Sequence, residues 1–323
     1  MTSQLTFRPE SRSARMGVSW VVALFLGAGA GCQSLKHAAV NQVGDAFASG
    51  SSGFATDDDP DLIKSAAPFS LKLIDSLLVE SPDHRGLRLA AASGFTQYAY
   101  AFVQQDADEL DATDLAAANV LRQRARRLYL RARDHGLHSL EIAHPGFAAA
   151  LRREPHAAVR VCTADDVPFL YWTGAAWSGA IAVIKDRPDL IAELPQAEAM
   201  MDRALELNES FDHGAIHTFM ITYEMARPGG KGDPAVRARA HFARAVELSG
   251  GHEVAPYVAL AEAVCLPAQD RAQFESLLHK ALAIDPDAQP TSRLVNLILQ
   301  RRARWLLGRA DDLFLPEAPH ATP

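Results

Sequence analysis

The sequence has few cysteines, few aromatic residues and no surplus of positive charge. Three cysteines in 323 residues are too few for a disulfide-built scaffold. Acidic residues number 39 against 32 basic ones, and the resulting net charge of −7 disfavours nucleic-acid binding, which needs a basic surface. With 48% hydrophobic residues, the chain has the composition of a globular protein with a sizeable core.

The uncharged stretch Gly17–Gly31 is too short to cross a bilayer, which takes about 20 apolar residues. It follows three arginines and ends in small residues directly before Cys32, the pattern of a bacterial lipoprotein signal. We predict that residues 1–31 are a signal peptide and that the Cys32 thiol receives diacylglycerol, which makes the protein a lipoprotein with acyl chains such as palmitate. The alternative is an ordinary signal peptide with an incidental cysteine. Gln33, where an aspartate would indicate inner-membrane retention, favours the outer membrane.

The next segment, residues 32–56, is rich in glycine and serine and is interpreted as a lipidated N-terminus and tether. Three aspartates followed by Pro60 then have the chemistry of a helix N-terminus, where capping oxygens, negative charge and an early proline are favoured. We predict a folded domain over residues 57–315 and a disordered tail over residues 316–323.

Apolar residues in the predicted domain recur at spacings of three and four, as in Leu71, Ile74, Leu77 and Leu78, which is the period of an amphipathic helix. Alanine and leucine dominate, and the alternation typical of strands is nearly absent. Prolines fall at intervals that suit helix ends. The sequence therefore predicts an all-α protein of about a dozen helices.

Several helices share a small–x3–large–x2–small triplet, which is typical of the second helix of tetratricopeptide repeats (TPR). Small residues let helix backbones approach, and the large residue fills the groove between them. The triplets are Ala125-x3-Tyr129-x2-Ala132, Ala197-x3-Met201-x2-Ala204, Ala238-x3-Phe242-x2-Ala245 and, in part, Phe274-x3-Leu278-x2-Ala281. Their unequal spacing predicts irregular, cryptic TPR-like repeats in one solenoid-like domain; an alanine-rich bundle without repeats is the alternative.

Enzyme motifs are weak or missing. The Gly-x-Ser-x-Gly motif of α/β-hydrolases does not occur, and the glycine-rich segment at residues 229–232 lacks the spacing of a phosphate loop, so we interpret it as a surface loop. His213 and His217 have the i, i+4 spacing of zinc ligands on a helix, with Asp212 or His241 available to complete a site. The general-base glutamate of HExxH is absent, so we predict no catalytic residue, no bound metal and no cofactor.

Two further features remain open. Cys162 and Cys265 either form a disulfide, which an oxidising periplasm permits, or are buried free thiols. The segment Gln300–Arg309 carries four arginines and is interpreted as a solvated cationic helix face, with contact to an acidic partner as the alternative.

The 7% of aromatic residues are clustered rather than dispersed. The clusters are SGFTQYAYAFV (93–103), FLYWTGAAWSGAI (169–181) and IHTFMITYEMA (216–226). Single rings of this kind usually pack in a core, but clusters on successive helices are also typical of an apolar pocket or channel.

Taken together, several strings resemble the TatT-type T-component lipoproteins of tripartite ATP-independent periplasmic (TRAP) transporters. The strings are SGFTQYAYAFVQQDAD (93–108), RARRLYLRARDHGL (124–137), FLYWTGAAWSGAI (169–181), GAIHTFMITYEMARPGG (214–230), ARAHFARAVELSGG (238–251) and NLILQRRARWLLGRADDLF (296–314). The resemblance implies a periplasmic, lipid-anchored helical protein without catalytic activity. It also implies a homotrimer traversed by a pore, docking of the periplasmic solute-binding (P) component, and capture or transfer of a ligand of apolar character.

Ring clustering and this resemblance together give candidate pocket or channel residues. They are Tyr98, Trp172, Trp177, His217 and Tyr223. The first functional hypothesis is an accessory binding component of a TRAP uptake system. The second is a helical-repeat scaffold lipoprotein in envelope assembly, and a metal-dependent hydrolase remains only if His213 and His217 hold zinc.

Overall fold

The computed structural model describes residues 52–183 and 187–316, and all regular structure within these ranges is helical. The prediction of an all-α protein is confirmed. None of the helices in the described ranges is both long and apolar enough to cross a membrane. The predicted signal peptide, Cys32 and nearly all of the predicted tether and tail lie outside the described residues.

The helices of six or more residues follow one another with short connections. They are α1 (Pro60–Glu80), α2 (Arg85–Tyr98), α3 (Gln105–Leu110), α4 (Leu115–Ala143), α5 (Phe147–Arg153), α6 (Val167–Ala182), α7 (Leu194–Leu207), α8 (Ala215–Ala226), α9 (Pro234–Leu248), α10 (Ala255–Leu260), α11 (Arg271–Ala283) and α12 (Arg293–Gly308). Four-residue helices occupy Ser52–Ala55, Pro155–Ala158, Pro188–Ile191 and Ala310–Leu313. Short 3₁₀ turns lie at Val159–Val161, Ala164–Asp166, Phe211–Gly214, Pro286–Ala288 and Pro290–Ser292.

Two π-helical segments interrupt the α-helical geometry. Ala99–Gln104 joins α2 to α3, and Ala261–Cys265 continues α10. A π-helix has a wider turn than an α-helix and occurs frequently at functional sites. Both segments lie beside α12, as described below.

The predicted helix N-terminus at Pro60 is present in the structure. The Asp59 side chain accepts hydrogen bonds from the backbone N–H groups of Asp61 and Leu62 at 3.1 and 2.9 Å, and Pro60 is the first residue of α1. The glycine-rich segment at residues 229–232 is an exposed connection between α8 and α9, as predicted.

The large residues of two triplets pack on glycines of α6. A Cβ atom on Gly179 would lie 2.8 Å from Cε1 of Tyr129, and one on Gly174 would lie 2.9 Å from Sδ of Met201. The alanines that flank Tyr129 and Met201 in their triplets are fully buried. These contacts are the close backbone approach that the triplet pattern requires, while the TPR-like repeat itself remains a prediction.

Consecutive long helices pack on each other in chain order, and the last long helix returns to the first. Ile298 of α12 belongs to the hydrophobic cluster that contains Ile63 and Ala67 of α1. Ion pairs reinforce this closure, since Asp106 of α3 contacts Lys64 at 2.6 Å and Arg301 at 3.3 Å. The circuit of helices therefore closes on itself.

Candidate functional site

The five candidate residues do not converge on one pocket. Tyr98 lies between α2 and α4, where its ring contacts Phe102 at a centroid distance of 5.7 Å. Arg124 of α4 donates a hydrogen bond to the Tyr98 hydroxyl at 3.4 Å and stacks over the ring. The neighbouring Tyr100 reaches solvent with 38% of its surface exposed, whereas Tyr98 is 8% exposed.

Trp177 is held on α6 by polar contacts. Its indole N–H donates to Oε2 of Glu193 at 2.8 Å, and Arg133 lies 5.0 Å from the ring centroid. The same Glu193 carboxylate also pairs with Arg133 at 3.2 Å. The buried indole of Trp177, with its N–H hydrogen-bonded to Glu193, therefore connects α4, α6 and the start of α7.

Trp172 and Tyr223 contribute to one aromatic cluster between α6, α8 and the preceding 3₁₀ turn. The aromatic cluster consists of Tyr171, Trp172, Phe211, Phe219 and Tyr223. The Tyr171 ring contacts those of Trp172 and Phe211 at 4.9 and 5.3 Å, and Phe219 stacks on Tyr223 at 5.7 Å. Tyr171 and Phe219 both pack on the buried group formed by Met201, Met220 and Tyr223. Trp172, Tyr171 and Phe219 are only half-buried, so part of each ring is open to solvent.

The spacing argument for a zinc site at His213 and His217 is wrong, because the two residues do not share a helix. Helix α8 begins at Ala215, and His213 lies in the preceding turn with a left-handed φ of 56°. Its imidazole contacts the amide nitrogen of Gln289 at 2.9 Å, whereas His217 contacts His241 and Glu209.

His217 instead forms a histidine pair with His241 of α9. The two Nδ1 atoms are 2.8 Å apart, and Nε2 of His217 lies 3.2 Å from Oε2 of Glu209, which pairs with Arg244. A single proton must lie between the two Nδ1 atoms, so one of them is a deprotonated acceptor. Burial lowers the pKa of both imidazoles, which keeps this pair neutral.

A polar centre around Arg302 is the feature that the sequence reasoning missed. Nε and Nη2 of Arg302 donate to Glu262 at 2.8 and 2.7 Å, and Nη1 donates to Asp108 at 3.0 Å. Burial acts to lower the Arg302 pKa, but the two carboxylates outweigh it and raise that pKa. At Asp108, burial raises the carboxyl pKa by more than the neighbouring Arg302 lowers it, so the net effect is a raised pKa.

Both π-helical segments border this centre. Glu262 lies in the second segment and Tyr100 in the first, and the charges of Arg302, Glu262 and Asp108 act on the Tyr100 hydroxyl. The interpretation of Gln300–Arg309 as a solvated cationic face is wrong for Arg302, which is buried and binds carboxylates of the same chain. Arg301 is exposed, as that interpretation predicts, and forms an ion pair with Glu109. Nothing in the sequence near Arg302 distinguishes it from its exposed neighbours, because the pairing acids lie about 40 and 190 residues away.

A groove of about 620 Å³, here called the arginine groove, opens on the surface between α1, α2 and α4. It is lined by Asp75, Arg88, Arg127, Leu130, Arg131, Asp134, His135 and His138. Asp75 pairs with Arg131 and His135, both at 3.3 Å, and Arg88 contacts His135 at 3.3 Å. Three arginines and two histidines thus face two carboxylates on a protein whose net charge is negative.

Cys162 and Cys265 are both buried free thiols in separate hydrophobic clusters, which confirms that alternative over a disulfide. Cys162 lies beside His144 and Asp166, with one potential ligand atom from each residue within 4.8 Å of the others. Burial raises the Cys162 pKa to about 12, and the Asp166 charge adds to the shift.

Comparison with known proteins identifies the family. Residues 56–314 match the family described as the TRAP transporter T-component, and the chain belongs to it. A relative from Treponema pallidum (strain Nichols), described as an uncharacterized protein, is 35% identical over 266 residues, covering 81% of this chain and 82% of that protein. The family is an accessory component of TRAP transporters and is not known to be enzymatic, and that role suggests a location in the bacterial cell envelope.

Proposed function

We propose that the protein is a non-enzymatic, lipid-anchored accessory component that binds the periplasmic solute-binding (P) component of a TRAP transporter. The observation that carries this proposal is the family match over residues 56–314, which covers nearly all of the described helices. The test is affinity purification of the membrane-bound protein followed by mass spectrometry. Recovery of a solute-binding protein supports the proposal, and recovery of envelope-assembly proteins alone contradicts it.

The arginine groove is the surface that best fits a partner with an acidic face. Its excess of cationic side chains on an acidic protein provides charge complementarity, which steers association and fixes orientation more than it adds affinity. Arg127 is exposed at this groove, so Arg127→Glu changes the charge without removing a buried contact. We expect Arg127→Glu to slow association with the P component, whereas Arg304→Glu, on the exposed side of α12, leaves it unchanged.

The aromatic cluster is the proposed contact for an apolar ligand. Of the five candidate residues, Trp172 and Tyr223 belong to it, and the half-buried Trp172 is the one that can be truncated with least loss of packing. We expect Trp172→Ala to weaken binding of an apolar fluorescent probe while the circular dichroism spectrum is kept. Trp177→Phe, which changes a buried indole elsewhere, is the control for a general loss of tryptophan. Equal probe binding by wild type and Trp172→Ala would rule this contact out.

Lipidation at Cys32, outer-membrane sorting and a homotrimer complete the proposal. Cys32→Ala is expected to release the protein from the membrane fraction, and light scattering of the purified protein is expected to give three times the mass of one mature chain, which starts at Cys32. The competing hypothesis is a scaffold lipoprotein for envelope assembly. It predicts that deletion of the gene alters the envelope but leaves TRAP-dependent solute uptake intact.

A further inference from the structure

Three potential metal ligands of different chemistry converge where α4, α6 and the connection between them meet. His144 caps the C-terminal end of α4, Cys162 ends the 3₁₀ turn Val159–Val161, and Asp166 ends the turn Ala164–Asp166 directly before α6. One potential ligand atom from each residue lies within 4.8 Å of the other two. Three separate backbone segments therefore present a nitrogen, a sulfur and an oxygen to one point.

From this arrangement we propose that His144, Cys162 and Asp166 bind a zinc ion. Ligand atoms around a tetrahedral zinc ion lie about 3–4 Å apart, because zinc–ligand bonds measure about 2.0–2.3 Å. Nε2 of His144 and Oδ2 of Asp166 are already 2.9 Å apart, so a small separation admits the ion. Imidazole, thiolate and carboxylate are all ligands that zinc accepts, and three protein ligands leave a fourth position for water or for a group on a partner.

The surroundings orient the ligands in the way that metal sites need. Nη2 of Arg85 donates to Oδ1 of Asp166 at 3.0 Å, which leaves Oδ2 directed at His144. The backbone N–H of Thr163 also donates to Oδ2 at 3.0 Å, and Arg203 donates to the Cys162 carbonyl at 2.9 Å. Such outer contacts fix ligand geometry and strengthen metal binding.

Charge and access are also consistent with zinc. Cys162 and Asp166 are 1% and 3% exposed, whereas the His144 side chain is 22% exposed and is the ligand that solvent reaches most easily. On binding, the Cys162 thiol gives up its proton to solvent, and the thiolate and the Asp166 carboxylate together balance the charge of Zn²⁺. Arg85 then remains as the counter-ion of the outer carboxylate oxygen.

The alternative interpretation is that His144, Cys162 and Asp166 only stabilise the fold and bind no metal. Asp166 closes a capping box with Thr163 and pairs with both His144 and Arg85, while Cys162 packs in the apolar cluster around α6. This interpretation explains why the Asp166 carboxylate and the His144 imidazole lie together, and it gives the Cys162 sulfur no role beyond packing. It predicts that the cluster has no affinity for zinc, so metal titration separates the two.

The test uses the purified protein after chelation, titrated with Co²⁺ alone and then with Zn²⁺. We expect one equivalent of Co²⁺ to produce a thiolate-to-cobalt charge-transfer band that zinc abolishes. Cys162→Ser is expected to remove the band and to weaken zinc binding by about tenfold or more. Cys265→Ser, which removes a buried cysteine in a different hydrophobic cluster, is expected to keep both signals.

A second variant distinguishes loss of a zinc ligand from misfolding of the protein. His144→Gln replaces a half-buried ligand at a helix end, and it is expected to fold like wild type by circular dichroism and to lose zinc affinity. The proposal is overturned if wild type binds no stoichiometric Co²⁺ or Zn²⁺. It is equally overturned if His144→Gln binds as wild type does, or if binding depends on His217 of the histidine pair instead.

Discussion

The close contact between Tyr129 and Gly179 is possible because glycine has no side chain at this position. The Tyr129 hydroxyl donates to Gln104 at 2.7 Å, so the ring cannot swing away from α6. We expect Gly179→Ala to destabilise the protein, because overpacking costs about 1–3 kcal/mol and the better helix propensity of alanine returns only about 1 kcal/mol. Urea unfolding measures the difference. Gly308→Ala, at a helical glycine with open space around it, is the matched control and is expected to be neutral or stabilising.

The histidine pair makes stability depend on pH. Burial lowers the folded-state pKa of His217 and His241 below the ordinary value of 6.5, so below that pH the unfolded chain binds more protons than the folded one. Stability is therefore lost as the pH falls from about 6.5 through the folded-state pKa values. Protonation also places two N–H donors opposite each other between the Nδ1 atoms.

We expect His241→Gln to reduce this pH dependence. Urea midpoints measured at pH 7.5 and pH 5.5 should fall further for wild type than for His241→Gln. The exposed His279 provides the control, since His279→Gln removes an imidazole without touching the pair. A pH dependence that is identical in wild type and both variants would contradict this role of the histidine pair.

At the scale of helices, Arg302 joins α12 to α3 and to the π-helical segment after α10. Removing one member of a buried ionic group leaves the others unpaired, which costs about 3–5 kcal/mol. We expect Arg302→Met to destabilise the protein by this order, as measured by urea unfolding. Arg304→Met lies on the exposed side of the same helix and is expected to change stability by less than about 0.5 kcal/mol. Equal stability of the two variants would contradict the assignment of Arg302 as the centre of this contact.

Local features of the fold could be predicted from the sequence, whereas the distant contacts of α12 could not. Periodicity and caps predicted the all-α class and the start of α1, because both depend on residues close together in the chain. The partners of Arg302 lie far away in sequence, and no local pattern indicates them. The π-helical segments were not predicted either, because hydrophobic periodicity at 3.6 residues per turn gives no signal for the wider turn that begins at Ala99.

At the scale of the whole molecule, the closure of the helical circuit was not predicted, since hydrophobic periodicity carries no information on which distant helices meet. The closure rests on Ile298 in the α1 cluster and on the ion pairs of Asp106 with Lys64 and Arg301. Exposed ion pairs contribute little to stability, so the apolar contact carries most of the energy. Closure makes the N-terminal and C-terminal helices one cooperative unit, although more than 200 residues separate them in the chain.

This coupling predicts that a substitution in α12 loosens α1. Truncating a buried isoleucine costs about 2–5 kcal/mol, and in Ile298→Ala that loss falls on the cluster shared with Ile63 and Ala67. Hydrogen exchange followed by mass spectrometry should therefore show faster exchange in peptides covering Pro60–Glu80. Val295→Ala, at a position 42% exposed on the same helix, is the control and should leave those peptides unchanged. If Ile298→Ala accelerates exchange only within Arg293–Gly308, α1 and α12 unfold independently and the circuit is not cooperative.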